Sequence, residues 1–398
     1  CGVTVTVEGG RAATVRPNKK DRWSLGHICP KGTTLGALHH DPDRLRTPMI
    51  RDGSEWKSAS WEAAFDRLET LVDGVRERHG PHAFAAYGGN MAGKDATLSR
   101  YSGLMLATSG IQQVYSSGTV DQHPKNLSAM LMFGSEWKIP IPDLDHTDLF
   151  VIFGGNPAAS KGSIFSHRDV MGAMRDLRAR GGRVIVIDPV RTQTARSADQ
   201  WIGLKPGSDA AFMLGIAHVL FARDAVRLRH LDGLVDGLET LREIVTGFSP
   251  QWVAHHCGID AIVIENLADE LIRTERSAIY GRIGTCTQTF GTLASWMIDV
   301  LAILTGNLDR QGGSMWSRPV APLVDMLATL PADMPVVMGK SRVRGVPAVL
   351  GQFPASCMAE EIATPGPGQI KGLLTFAANP ALSAPDSGKL AEALPLLE

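Results

Sequence analysis

Two sets of residues in this chain have types and spacings that could do chemistry. The first is a thiol pair, Cys1 and Cys29, the second of them in the tight run Gly26-His27-Ile28-Cys29-Pro30-Lys31-Gly32. An iron–sulfur cluster takes four thiolates, so this pair could supply half of one. The plain alternative is one terminal and one buried thiol. Cys257, Cys286 and Cys357 fall in segments that read as distant helices and loops, and are poor candidates.

The second set is an internal repeat. Phe153-Gly154-Gly155-Asn156-Pro157-Ala158-Ala159-Ser160 is answered by Phe376-Ala377-Ala378-Asn379-Pro380-Ala381-Leu382-Ser383, identical at five of eight positions. Each copy follows an apolar run with the character of a strand. Small residues there let the backbone approach a ligand, and amides at the next helix start can hold pyrophosphate. Asn156 and Asn379 add an amide that can pair with a base or a phosphate. Asp188, at the end of the next strand, is placed to meet a ribose or base edge. Arg191 follows at a distance suited to phosphate. Lys205-Pro206-Gly207-Ser208-Asp209 is a loop-to-helix junction and a further anion site. Each feature alone is ordinary turn chemistry; at successive strand ends they favour a nucleotide. The G-x-G-x-x-G fingerprint is missing, which argues against a nicotinamide dehydrogenase.

The elements that must position these residues alternate between helix and strand. Val3, Val5 and Val7 alternate before the Gly9-Gly10 turn and predict a hairpin. Helical spacing starts at Trp61 with Ser60 as N-cap and Gly80 near the end. Short apolar strands are predicted over 83–87, 149–153, 184–187, 278–283 and 373–376. Helices are predicted over 168–180, 209–222, 260–274 and 289–304, with a further helix-like run from Ser387 to Leu397. Residues 309–370 are rich in Pro and Gly and read as long loops and a linker. The expected class is α/β, multi-domain, with parallel-sheet dinucleotide-binding domains behind a small β-rich N-terminal module.

Composition excludes several alternatives. The 398 residues suffice for two or three domains. A formal net charge of −1 points to no nucleic-acid or membrane-surface partner. No apolar run reaches the roughly 18 residues of a membrane span. The five cysteines make no disulfide framework, so a reducing, cytoplasmic setting is the default. The chain opens on Cys1 without an initiator methionine and closes inside a helical pattern, and is expected to be a piece of a longer polypeptide. An export signal would then lie upstream.

Together these residues resemble the molybdopterin oxidoreductases, the dimethyl-sulfoxide-reductase superfamily that includes formate dehydrogenases and nitrate reductases. Cys1-Gly2-Val3, Gly26–Gly32, Arg44–Met49 and Trp56–Ala63 are similar to its opening. Phe153–Ser160, Val186–Thr194 and Pro206–Ala210 are similar to its first dinucleotide motifs. Gly284–Gln288 and Leu304–Gly313 are similar to its later ones. The resemblance implies a 4Fe-4S cluster with Cys1 and Cys29 as its third and fourth ligands and two more cysteines upstream. Lys31 would lie between cluster and pterin on the electron path. It implies two molybdopterin guanine dinucleotides on molybdenum or tungsten, with Gly155, Asn156, Pro157, Asp188, Arg191, Gly207, Asp209, Gly284, Thr287, Gln288, Asn379 and Pro380 as contacts. The expected domains are a partial cluster module over 1–50 and an α/β region over 51–370, with the first nucleotide domain at about 140–310. The second nucleotide repeat would begin over 371–398, and the family's C-terminal barrel is missing. A small-molecule substrate and an electron-transfer protein or iron–sulfur subunit are the implied partners.

The metal's protein ligand is left open. The corresponding segment, Tyr115 to Pro124, contains no cysteine. Counting back from Gly134, Asp121 falls where a ligand would sit, and a hard carboxylate suits an oxidised molybdenum centre. Its alternative is to cap the helix that Pro124 helps to start. His123 is the best nearby proton carrier, or else an ordinary half-exposed histidine. The competing function is a relay subunit without the metal, similar to the large iron–sulfur subunit of respiratory complex I.

Overall fold

A computed structural model describes residues 1–90, 95–165, 167–317 and 337–398. Its strands in chain order are β1 (Val3–Glu8), β2 (Arg11–Pro17), β3 (Met49–Asp52), β4 (Glu55–Ser58), β5 (Phe84–Gly88) and β6 (Gln113–Ser116). They continue as β7 (Ile141–Pro142), β8 (Leu149–Phe153), β9 (Arg183–Ile187), β10 (Gln200–Ile202) and β11 (Ser277–Gly281). The last are β12 (Ser314–Met315), β13 (Val337–Lys340), β14 (Pro347–Val349) and β15 (Gly372–Phe376). The chain divides into two units, Cys1–His40 with Pro124–Leu330, and Asp41–His123 with Pro331–Glu398.

The first unit is built on a parallel sheet of order β10-β9-β8-β11. Its strands read as unbroken apolar runs because helices cover both faces. Leu149, Val151 and Phe153 of β8 pack on one side with Phe212, Ile216, Leu267, Met297 and Leu301. Phe150 and Ile152 pack on the other with Val170, Met174 and Leu177. Period-two alternation thus splits one strand between two cores. The helix Asp209–Ala222 is buried around most of its circumference, as its continuous apolar sequence requires. From β8 the chain adds β9 and β10 on one side and returns to place β11 on the other. The order reverses between β8 and β11, and ligands bind at the carboxyl ends of strands at such a switch point. The β1–β2 hairpin belongs to this unit, and His27 Nδ1 lies 3.8 Å from Asp169, which also caps the helix Val170–Ala179.

The second unit carries a parallel sheet of order β15-β5-β6, in which β15, the strand that leads into the second Asn-Pro turn, pairs with β5 from far earlier in the chain. Ala85, Tyr87, Tyr115, Met358 and Leu390 form one core; Val75, Phe84, Ala86 and Ile111 form the other. The helix Trp61–His79 begins as the sequence predicts, with Ser60 Oγ accepting from the Ala63 amide, a cap of about 1 kcal/mol.

Two expectations change. Described residues within 309–370 are not all loop: they include β12, the β13–β14 hairpin and the helix Met358–Ala363. Buried Met358, Glu361 and Ile362 give that helix a core face too short to show periodicity. The helix Val170–Ala179 starts two residues later than predicted, because the Asp169 side chain accepts from the Gly172 amide and fixes the cap there.

Candidate cofactor site

The carboxyl edge of the first sheet gathers the nucleotide candidates of the first unit. Gly154 follows β8 with φ +52°, and the Gly284 amide donates to its carbonyl at 3.0 Å. A Cβ on Gly154 would fall 2.8 Å from the Gly284 Cα, and one on Gly284 would fall 2.7 Å from the Gly154 Cα. Only glycine allows these two strand ends to touch. Asn156 then caps a one-turn helix with Pro157 at its first position. Its Oδ1 accepts from Thr194 Oγ1 at 2.7 Å, and Thr194 Oγ1 accepts from the Ala158 amide at 3.1 Å. With the oxygen engaged, the amide nitrogen is what Asn156 has to offer a phosphate or a base.

Asp188 ends β9. Its Oδ1 accepts from the Val190 amide at 2.8 Å, and burial raises its carboxyl above the ordinary range. Arg191 is exposed, its guanidinium 5.7 Å from the Trp201 ring. Gly207 has φ +83° in the turn before Asp209, the first residue of its helix. Asp209 is 7% exposed, and burial pushes its carboxyl up despite a hydrogen bond from Gln288. Gln288 Nε2 donates to Asp209 Oδ2 at 2.9 Å and to the Gly284 carbonyl at 2.7 Å. The other end of that amide, Oε1, is buried and has no hydrogen-bond partner among the described residues. A desolvated carboxylate beside an unanswered carbonyl oxygen is a site for a ligand edge rich in N–H donors. The guanine edge is such an edge, so the residues present fit a guanine nucleotide. Thr287 is exposed and donates to the Ile283 carbonyl at 3.1 Å. The Lys205–Ser208 loop also borders an apolar cavity of about 400 Å³ with Leu214, Trp252 and Phe290.

The second unit repeats the turn. Ala377 has φ +53°, matching Gly154. Asn379 has φ −125° and ψ 90°, beside −123° and 73° for Asn156, and Pro380 opens a one-turn helix as Pro157 does. The correspondence extends to the neighbouring strands. Tyr280 of β11 pairs with Ile152 and Gly281 with Phe153; Tyr87 of β5 pairs with Thr375 and Gly88 with Phe376. The sequence reading missed this second Tyr-Gly repeat. Only two residues carry it, and its partner strand follows β8 in one unit and precedes β15 in the other.

In the N-terminal module Cys1 is exposed and Cys29 half-buried, and neither is in a disulfide. Burial raises the Cys29 thiol, but the backbone amides of Gly32 and Lys31 and the Lys31 ammonium outweigh it and hold the thiol below its ordinary value. That favours the thiolate, the form that binds iron. The other three cysteines are buried. Asp121 closes the short helix Gly118–Asp121, and His123 opens the helix His123–Phe133, with Pro124 in its first turn. Burial lowers the His123 pKa, keeping the imidazole neutral. Asp121 and His123 lie in the second unit with Asn379, while Asn156, Asp188, Asp209 and Gln288 lie in the first.

The molybdopterin oxidoreductase family pattern matches residues 44–398, and the molybdopterin oxidoreductase Fe4S4 domain pattern matches residues 1–40. The chain belongs to the molybdopterin oxidoreductases. It is 26% identical over 317 residues to the F420-dependent formate dehydrogenase subunit alpha of Methanocaldococcus jannaschii, covering 78% of this chain and 45% of that one. It is 27% identical to formate dehydrogenase H of Escherichia coli, over 78% of this chain and 43% of that one. It is 25% identical to the periplasmic nitrate reductase of Desulfovibrio desulfuricans, over 81% and 43%. Among solved structures, acetylene hydratase from Pelobacter acetylenicus superposes with a TM-score of 0.79 at 18% identity, over 100% of this chain and 58% of that one. The chain thus spans less than half the length of these curated relatives. No helix among the described residues is long and apolar enough to cross a membrane.

Proposed function

We propose that the chain is the cofactor-binding part of a molybdenum or tungsten bis-pterin guanine dinucleotide oxidoreductase, formate dehydrogenase-like or nitrate reductase-like, that exchanges electrons between a small substrate and a 4Fe-4S cluster. The observation that carries this reading is the pair of matched turns at Asn156 and Asn379, one per unit, as two nucleotide tails would require. Asn156, Asp209 and Gln288 hold one guanine nucleotide and Asn379 with Pro380 the other. Asp188 and Arg191 contact ribose and phosphate. Cys1 and Cys29 supply two cluster thiolates, and the Lys31 cation stabilises negative charge arriving between cluster and pterin.

The bound cofactor supplies the two-electron chemistry. The protein's part is to position it and to manage protons. Asp121 offers the metal a carboxylate, and a neutral His123 can take a proton at neutral pH. An aspartate where a thiol is common leans the reading toward an oxyanion reductase, and the partner is an electron-transfer protein or iron–sulfur subunit. Metal analysis of the full-length protein separates this from the relay reading: about one Mo or W per polypeptide supports the enzyme, and none supports the relay.

A further inference from the structure

The two Asn-Pro turns match in backbone but differ in what holds their asparagine side chains. Thr194, beside the first turn, is fully buried at 0% exposure. It sits on the short helix Gln193–Arg196, whose start is fixed by Thr192 Oγ1 accepting from the Ala195 amide at 3.2 Å. From there its hydroxyl reaches back to the Asn-Pro turn. Thr194 Oγ1 accepts from the Ala158 amide at 3.1 Å and donates its proton to Asn156 Oδ1 at 2.7 Å. The Ala158 N–H can only donate, so the hydroxyl proton is the group that needs an acceptor. A reversed Asn156 amide would turn its nitrogen toward Oγ1 and strip that buried proton of its acceptor. Asn156 is therefore held with its nitrogen turned away from Thr194.

Asn379 has no such holder. It is exposed; among the described residues its carbonyl accepts from Ser383 Oγ at 2.7 Å, while its side-chain amide bonds to nothing. A donor fixed before the ligand arrives spares the freedom that a loose side chain loses on binding. We propose that Thr194 is a positioning residue of the first cradle, which fixes the Asn156 amide as a donor to an oxygen of the nucleotide and makes this cradle the tighter of the two. The carboxylate and carbonyl oxygen that take the N–H edge, on Asp209 and Gln288, lie across the Gly154–Gly284 contact in the same unit. The first cradle thus offers both polarities, each already oriented. The inference rests on the reading of Asn156 as a nucleotide contact.

The test measures GDP binding to the full-length, cofactor-free protein by calorimetry. GDP carries the guanosine and both phosphates of such a tail. The variants are Thr194→Val, Thr194→Ser, Asn156→Ala, Asn156→Asp and Asn379→Ala. Wild type is expected to bind GDP in a tight and a weak class. Thr194→Val should weaken the tight class about tenfold, Thr194→Ser should restore it, and Asn379→Ala should leave it unchanged. Asn156→Asp keeps an acceptor for Thr194 but turns an oxygen to the ligand, so it should bind GDP more weakly than Asn156→Ala. Wild-type affinity in Thr194→Val, with the tight class lost in Asn156→Ala, overturns the inference alone. So does a loss that Thr194→Ser fails to restore, or a tight class that Asn379→Ala removes. Should Thr194→Val not fold, Asn156→Asp decides: binding at least as tight as in Asn156→Ala overturns the inference. No GDP binding by wild type, or no effect of either asparagine, overturns the nucleotide reading and the inference with it.

Discussion

Gly154 and Ala377 adopt the same left-handed backbone, φ +52° and +53°, at the residue that follows the strand in each Asn-Pro turn. The conformation is required by the turn and is easy only for glycine. The second turn therefore stores strain that the first does not. Ala377→Gly should stabilise the protein by up to about 1 kcal/mol, measured by denaturant unfolding. Gly154→Ala should destabilise it by about 1–3 kcal/mol, since its Cβ has no room against Gly284. No gain from Ala377→Gly, or no loss from Gly154→Ala, would mean that the two turns do not share this backbone requirement.

Asp209 links stability to pH. Burial raises its folded-state pKa above the ordinary value of 3.8. Its stability contribution is therefore intact below 3.8 and is lost as pH rises through the higher folded value. Asp209→Asn should remove that loss, so the variant's advantage over the cofactor-free wild type grows from acid to neutral pH. Unfolding free energies at a series of pH values test this; an advantage that shrinks toward neutrality contradicts it.

Lys125 and Asp299 form an ion pair of 2.6 Å between the helices His123–Phe133 and Gly291–Leu304, with side chains 6% and 3% exposed. Burial pushes the Asp299 carboxyl up while Lys125 pulls it down. Removing one partner leaves a stranded charge, so Lys125→Met should cost about 3–5 kcal/mol. The double change Lys125→Met with Asp299→Leu should recover most of it. Failure of the second change to rescue the first would show that the pair is not the source of the loss.

Cys29 owes part of its lowered thiol pKa to the Lys31 ammonium. Lys31→Met should raise it, and alkylation of Cys29 in the cluster-free protein should slow near neutral pH. An unchanged rate–pH profile would separate Lys31 from the thiol. In the full-length protein Cys29→Ser should also lower the iron content.

Much of this was legible in the sequence. Strands buried on both faces, such as Leu149–Phe153 and Arg183–Ile187, announce themselves as apolar runs, and the Asn-Pro repeat locates both turns. The helix Pro250–Cys257 was passed over although Ser249-Pro250 is a helix-start signal that could have found it. What stayed hidden depends on long-range pairing. β15 meets β5 across almost the whole chain, and Tyr280 and Tyr87 become counterparts only through strand register. The Gln288–Asp209 hydrogen bond joins residues on different elements, and neither residue type alone signals it.

The most direct measurement is the guanine nucleotide released by acid from the purified full-length protein, counted against its metal. Two nucleotide cradles predict about two guanine nucleotides for each Mo or W, and loss of close to one of them in an Asn379→Ala, Pro380→Ala variant. Nucleotide at one or fewer per metal, or a full count in that variant, would contradict the account.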